Sequence, residues 1–395
     1  FEVRSTRPEA LGLIEDGDIY LTSTSGKSSL ERKLRDHPSF EDIKWGVVVT
    51  EFCALARKRW ENGQPSVDLR EVDYRDKPRW LHRPFVECVG VTDLFGDGDS
   101  GKSTLAMASG ASVCSGMAII GEKPLVSGPV SYIDWEADAE THAMRLNAIY
   151  RGADIDPATC YPMRYLPMLG QTLASAKGAI RRMIIEHGIV MWIADSRSLA
   201  QAGGLMTEDT LELFRALRGL GVPGILVDHE SKEEIRNKSG KRMPIGSVTA
   251  RNSARRAWHV QATQQPESQR LTVALSDRKH NNGPGLPRQA YHIDFVSDDD
   301  ASEMVYMIGF TKTDVRDVPD LIGSLGTREK LEAVLRSNRG QPMPVKDIVS
   351  ALSIEGVRLT EGAVRAAFNR HHDNFVQLYQ NGQTLWALKA GIEDV

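Results

Sequence analysis

Gly96 to Ser103 reads Gly-Asp-Gly-Asp-Ser-Gly-Lys-Ser, a G-x-x-x-x-G-K-S loop. Residues of these types at this spacing handle phosphate. Glycines let successive backbone N–H groups converge on phosphate oxygens, the lysine reaches the β- and γ-phosphates, and the serine hydroxyl ligates Mg²⁺. Gly96, Gly98 and Gly101 supply the backbone freedom, and Asp97, Asp99, Ser100 and Thr104 complete the cradle around Lys102 and Ser103. The apolar run Val89–Phe95 predicts a strand leading in. Lys102–Cys114 predicts a helix leading out, its positive end toward the bound anion. A plain glycine turn would leave Lys102-Ser103 without a reason. Gly26-Lys27-Ser28 repeats the end of such a loop, but Leu21 stands where its first glycine belongs, so it is set aside.

Hydrolysis needs two more groups, an acid that orients the metal and a group that positions the attacking water. Val190-Met191-Trp192-Ile193-Ala194-Asp195 is an apolar strand ending in a carboxylate, the Walker B form, which assigns Asp195 to the metal together with Ser103. The plainer role for such an Asp, with Ser196 behind it, is to cap a helix. Tyr132-Ile133-Asp134-Trp135-Glu136 is a second strand ending in acids. It places Glu136 to polarise a water, against the alternative that Glu136 and Asp138 only start the next helix favourably. The cofactors predicted are ATP and Mg²⁺.

These groups need a scaffold that gathers strand ends. Short apolar runs alternate with helical patterns from about Val89 to Phe310. Strands are predicted at Val89–Phe95, Val130–Trp135, Ile189–Ala194, Gly224–Val227, Leu271–Ser276, Tyr291–Phe295 and Met304–Ile308. Helices are predicted at Lys102–Cys114, Ala137–Tyr150, Ala174–His187 and Glu208–Leu217. The early strands are continuously apolar, as strands buried on both faces of a parallel sheet are. The later ones alternate, which suits antiparallel strands near an edge. The fold class is therefore α/β, a mainly parallel sheet flanked by helices.

Before this region, residues from about Phe40 to Trp60 show helical spacing. After it, Thr327–Arg336, Val345–Leu352 and Thr360–Arg370 read as helices, with Thr327 and Thr360 as N-caps. Phe375–Tyr379 and Thr384–Leu388 flank Asn381-Gly382, a hairpin turn. Helices followed by a hairpin predict a winged helix, whose last helix carries Arg365, Asn369, Arg370, His371 and His372 on a face able to meet DNA. The expected domains are 1–79, a mostly helical segment or linker, 80–322, the ATPase, and 323–395, the winged helix.

The whole chain bounds these readings. Its 395 residues hold two or three domains. With 41% hydrophobic and 26% charged residues it has the composition of an ordinary globular protein. A net charge of −4 excludes a bulk polycation, so nucleic acid would be met through local patches. No apolar run approaches the roughly 20 residues that span a bilayer, and a cytoplasmic location is expected. Cys53, Cys88, Cys114 and Cys160 lie far apart with no C-x-x-C pair, which reads as small buried residues in a reducing compartment. The chain opens on Phe1 with no initiator Met, which reads as one piece of a longer polypeptide.

The P-loop, Glu136, Asp195 and the later Asp228-His229-Glu230-Ser231-Lys232 together resemble the RecA-like ATPases, and within them the RepA and DnaB type of hexameric replicative helicase of phages and plasmids. The resemblance covers roughly Trp80 to Phe310, with Trp80-Leu81 similar to the lead-in of RepA-like proteins. It implies that Glu136 is the catalytic base and that His229 is a polar sensor linking the γ-phosphate to DNA-binding loops. It implies that the following stretch, Ser231 to Arg256, contacts single-stranded DNA. Lys232, Lys241, Arg242, Arg251, Arg255 and Arg256 are its nucleic-acid candidates, a locally basic run suited to a phosphate backbone, with a solvated surface loop as the plain alternative. It also implies basic residues that reach a neighbouring subunit's γ-phosphate. Lys279 in Arg278-Lys279-His280-Asn281-Asn282-Gly283-Pro284 matches the lysine of that element, while Asn281 stands where an arginine would. A trans-acting cation predicts a homo-oligomer, a ring of six.

Three functions compete. One is a DNA helicase or translocase in replication, working with a primase, polymerase or initiator. The second is an ATP-dependent DNA-binding regulator or accessory that switches assembly without unwinding. The third is a catalytically poor scaffold in an initiation complex, hinted at by Asn281.

Overall fold

A computed structural model describes residues 2–5, 12–16, 19–37, 40, 42–62, 66–73, 78–201, 207–230, 247–264, 268–281, 283–297, 305–318, 325–354, 356–380 and 382–389. The chain forms two compact units, Phe1–Lys77 and Pro78–Val395.

In the first unit, β1 (Glu2–Ser5) pairs antiparallel with β2 (Gly12–Asp16), followed by α1 (Thr24–Arg35) and α2 (Trp45–Asn62). Leu30 and Leu34 of α1 pack with Phe40, Trp45, Val49 and Cys53. Ser23 caps α1 by accepting from the N–H of Gly26. Gly26-Lys27-Ser28 thus lies within a helix and forms no phosphate loop. The expected helix of this region begins at Trp45 instead of Phe40. α1 escapes a periodicity reading because its two buried leucines stand among basic and polar residues.

The second unit opens with the hairpin β3 (Trp80–His82) and β4 (Val86–Glu87). The elements then run β5 (Val91–Gly96), α3 (Lys102–Ser115), β6 (Val130–Asp134), α4 (Ala139–Gly152), β7 (Met163–Pro167), α5 (Leu173–Glu186), β8 (Met191–Asp195), α6 (Arg197–Ala200) and α7 (Thr207–Arg218). They continue with β9 (Gly224–His229), α8 (Ser247–Ser253), β10 (Arg256–Thr263), β11 (Arg270–His280), β12 (Gln289–Ser297) and β13 (Val305–Thr313).

One nine-stranded sheet has the order β13-β12-β11-β10-β5-β9-β8-β6-β7. The pairs from β10 to β7 are parallel, and those from β10 to β13 antiparallel. This is a RecA-like core, with helices on both faces of a mainly parallel sheet. β5, β6 and β8 are buried along their whole length, as mainly apolar strands covered on both faces are, with Thr92, Asp93, Ser131, Asp134 and Asp195 buried among the apolar residues. Leu105, Val130, Ile193, Ile225 and Val273 belong to the core on the α3 face. Ile133, Ile180, Trp192, Leu213 and Leu226 belong to the core on the other face, under α5 and α7. β9 lies between β5 and β8, so the P-loop, the end of β8 and the end of β9 open side by side.

Two strands of this sheet escape the sequence. β7 is a half-buried edge strand whose Arg164 breaks the apolar run. β10 begins at Arg256 and reads as the tail of a basic loop, yet it pairs in parallel with β5 and is buried over its first five residues.

The C-terminal elements are α9 (Thr327–Ser337), β14 (Met343–Pro344), α10 (Val345–Ile354), α11 (Glu361–Arg370), β15 (Phe375–Gln380) and β16 (Gln383–Leu388), with sheet order β14-β16-β15. Helix, strand, two helices and a hairpin in this order make a winged helix. Phe368 stacks on Trp386, ring centroids 4.3 Å apart, and meets Phe375 edge-on at 4.9 Å. Ala274 of β11 and Ala290 of β12 share this core, so the winged helix packs on the antiparallel part of the sheet. Thr360 caps α11 as expected, accepting from the N–H of Ala363. The N-cap of α9 is Gly326, whose N–H donates to Glu329, and Thr327 is the first helical residue. Among the described residues, no helix is long and apolar enough to cross a membrane.

Candidate nucleotide site

The carboxyl ends of parallel strands are where an α/β sheet binds ligands. β5 ends at Gly96 and α3 starts at Lys102, so the loop between them hangs over that edge. Backbone geometry explains two of its glycines. Gly101 has φ +80, and a Cβ there would stand 2.9 Å from Leu271 Cδ2. A Cβ on Gly96 would stand 2.3 Å from the carbonyl oxygen of Val260.

A cavity of about 380 Å³ opens above the loop. Its lining includes Gly98 to Thr104, Glu136, Asp195 and His229, together with Arg145, Gln264, Leu271 and Phe295. Residues far apart in sequence thus meet because β5, β6, β8 and β9 end side by side.

Lys102 is buried, and its Nζ donates to the carbonyl oxygen of Asp97 at 2.5 Å and to Ser100 Oγ at 3.3 Å. Burial pulls its pKa down, while Asp195 and Asp97 push it back up. The ammonium is held by two neutral oxygens, acceptors that a phosphate would displace.

Asp195 is 6% exposed. Its Oδ2 accepts from the Tyr132 hydroxyl at 2.6 Å, and the Ser103 hydroxyl also hydrogen-bonds to it. Burial raises its pKa, against those two hydrogen bonds and together with the nearby Glu136 and Asp134 charges. Ser103 and Asp195 fit Mg²⁺, which takes one or two protein oxygens and keeps the rest of its shell for phosphate and water. Among the described residues, no group of three or more His, Cys, Asp and Glu gathers to hold a metal by itself.

Glu136 is exposed to the cavity and accepts a hydrogen bond from the Ser196 hydroxyl. Asp134, at the end of β6, folds back to accept from the N–H of Glu136 at 3.3 Å and of Ala137 at 2.8 Å. It also receives Tyr165 Oη at 3.1 Å and lies 3.1 Å from His142 Nε2. Burial raises the Asp134 pKa, but these hydrogen bonds outweigh it and hold it below the usual range. Asp134 therefore fixes the turn that presents Glu136. The helix-starting role belongs to Asp138, the N-cap of α4, which accepts from the N–H of Thr141 at 2.7 Å. His229 ends β9, and its N–H donates to Asp228 Oδ1 at 2.7 Å.

Sequence reasoning missed Arg145, on the face of α4 turned to the cavity, and the orienting hydroxyls of Tyr132 and Ser196. Tyr132 stands in an apolar strand and Arg145 in an ordinary amphipathic helix. No local pattern separates either from its neighbours.

The basic candidates fare differently. Lys232, Lys241 and Arg242 lie outside the described residues. Arg251 is on α8. Arg255 and Asn281 line a second cavity, of about 550 Å³, at the opposite ends of the strands, where β5 and β9 begin. Arg256 is a correction: it is fully buried, pairing with Glu87 at 2.9 Å and Asp277 at 2.7 Å beneath the Trp80 ring, and has no surface for a nucleic acid. Lys279 Nζ donates to the carbonyl oxygens of Asn252 and Ala254, 2.6 Å each, so its charge is engaged within its own chain.

Residues 64–234 match a family model described as an AAA domain. The match takes in the P-loop, Glu136, Asp195 and His229, and stops before α8, the later strands and the winged helix. A comparison with curated proteins finds no match. Fold and family match together define a P-loop ATPase domain of the RecA-like type, a nucleotide-binding module.

Proposed function

We propose that this chain is an ATP-driven motor on single-stranded DNA, a ring-forming helicase of the RepA and DnaB type that acts in replication. The observation that carries the reading is the meeting of Lys102, Ser103, Glu136, Asp195 and His229 at one cavity, with His229 directly before the basic stretch.

In this reading ATP is the substrate. Its phosphates lie against the backbone N–H groups of the loop and the start of α3, with Lys102 and Arg145 balancing their charge. Ser103 and Asp195 would hold Mg²⁺, which would supply neutralising charge at the phosphate oxygens. Glu136, aimed by Asp134 and held by Ser196, takes a proton from the attacking water. His229 links that event to Lys232, Lys241, Arg242, Arg251 and Arg255, which meet the DNA backbone. Residues 80–322 are the motor, 1–79 an N-terminal segment with a small core of its own, and 323–395 a module that docks DNA, a primase, a polymerase or an initiator. Lys279 and Arg278 act on a neighbouring subunit in a hexamer, which requires Lys279 to exchange its two carbonyl partners for phosphate.

That engagement of Lys279, and the winged helix seated on the sheet, favour the second reading, an ATP-dependent DNA-binding regulator that does not unwind. One experiment separates the two. Turnover of ATP is measured with and without single-stranded DNA, then strand separation on a forked duplex, with Lys102→Ala as the inactive control. The motor predicts DNA-stimulated turnover and strand separation. Robust turnover without separation favours the regulator, and near-zero turnover without stimulation favours a catalytically poor scaffold. Glu136→Gln should keep ATP binding while turnover falls at least about a hundredfold.

A further inference from the structure

Arg197 follows Asp195 and Ser196 at the start of α6 and is fully buried. Its Nη1 donates to Asp228 Oδ2 at 2.7 Å, its Nη2 to Thr210 Oγ1 at 2.8 Å, and its Nε to Gln201 Oε1 at 3.4 Å. The other oxygen of Asp228 holds the N–H of His229. Asp93, on β5 directly before the P-loop, is fully buried beside Asp228, and neither of its carboxylate oxygens has a hydrogen-bond partner. Burial and the Asp228 charge hold Asp93 well above the usual carboxylate range, and burial raises Asp228 as well, against the Arg197 guanidinium and the hydrogen bonds it receives.

A buried ion pair is weak evidence for stability, because well-packed apolar side chains of similar volume often serve as well or better. What a guanidinium adds is a rigid fork that fixes several acceptors relative to one another. Here the acceptors have a pattern. Gln201 and Thr210 stand on either side of residues 202–206. Asp228 stands just before His229 and the stretch 231–246. Ser196, the immediate neighbour of Arg197, donates to Glu136. One side chain therefore ties the end of β8 to the roots of both segments.

We propose that Arg197 is a positioning residue that couples the nucleotide site to nucleic-acid binding, holding Asp228 and Thr210 in register with Asp195 and Ser196. The inference rests on the proposed action on single-stranded DNA. A shift of Ser196 with the state of Glu136 moves the guanidinium, and the guanidinium moves Thr210 and Asp228.

The test reads the ratio of DNA-stimulated to basal turnover, with ATP KM and the melting temperature alongside, in the full chain. Thr210→Val removes the hydroxyl at nearly constant shape, and Thr210→Ser keeps it. Arg197→Gln and Asp228→Asn remove the central pair. The coupling role predicts that Thr210→Val lowers the stimulation ratio about tenfold while ATP KM stays within about threefold, and that Thr210→Ser restores the ratio. In folded Arg197→Gln and Asp228→Asn the losses should not add, since both break one link. Should those two fail to fold, the threonine pair decides. Full stimulation in Thr210→Val, or equal loss in Thr210→Val and Thr210→Ser, overturns the role of Arg197 while leaving the motor reading intact. Absence of stimulation in the unaltered chain overturns the motor reading and this inference with it.

Discussion

The Tyr132 hydroxyl donates to Asp195 Oδ2 at 2.6 Å across adjacent parallel strands, with both groups buried. That bond and the one from Ser103 orient the carboxylate assigned to the metal. Tyr132→Phe leaves an acceptor unsatisfied and lifts the Asp195 pKa further, because a hydrogen bond that favours the charged form is lost. The Mg²⁺ concentration for half-maximal turnover should rise about tenfold or more, with little change in ATP-free stability. A magnesium titration of turnover checks this, and an unchanged midpoint would show that Tyr132 is only core.

Arg145 is the second cation at the nucleotide cavity, and it comes from the same chain. Arg145→Ala should lower kcat by about a hundredfold or more, with a smaller effect on ATP binding, if its charge serves the transition state. Arg145→Lys should recover only part of that. Equal losses in kcat/KM and in ATP affinity would reduce it to a ground-state contact.

His82 predicts acid sensitivity. It is fully buried, with Nδ1 2.7 Å from Ser109 Oγ and Nε2 2.8 Å from the carbonyl oxygen of Ile120. Burial lowers its pKa to about 4 from 6.5. The folded state keeps it neutral while the unfolded chain protonates it, so its contribution is complete above pH 6.5 and is lost as pH falls toward 4. The loss across that window is on the order of 3 kcal/mol. Urea melts of the native chain and His82→Gln at neutral and acid pH test it. The variant should be less pH-dependent there, and parallel curves would show that another group governs the acid limb.

Arg256 separates a structural arginine from a nucleic-acid contact. Arg256→Ala strands Glu87 and Asp277 as buried carboxylates and should cost about 3–5 kcal/mol. Thermal melts should register that loss. The slope of DNA affinity against salt should stay the same, because no phosphate contact is removed. A shallower slope with unchanged stability would restore Arg256 to the DNA-binding set.

Much of the core was legible because its signals are local. Mainly apolar runs announced β5, β6 and β8, and Lys102-Ser103 after glycines announced the loop. Glu136 and Asp195 were legible as strand-ending acids. What escaped was pairing at a distance. Arg255 and Arg256 look alike in sequence, yet one lines a cavity and the other is sealed between two acids, since the boundary of β10 falls between them. Lys279 could be matched to a position but not to its partners, the carbonyls at the end of α8. Asp93 carries no signal of its own in the sequence, and only the neighbouring strand brings it beside Asp228 and Arg197.

The sequence by itself determined the chemistry on offer: a phosphate loop, two acids at strand ends and a histidine at a third. It could do so because a P-loop and a buried strand are written in adjacent residues. The tertiary structure decided which groups share one cavity and how each is aimed. Strand order put β9 between β5 and β8, brought Tyr132, Arg145 and Ser196 to the site, and withdrew Arg256 from the nucleic-acid candidates. Strand order depends on which apolar faces pack together across the whole sheet, and no short stretch of sequence contains that.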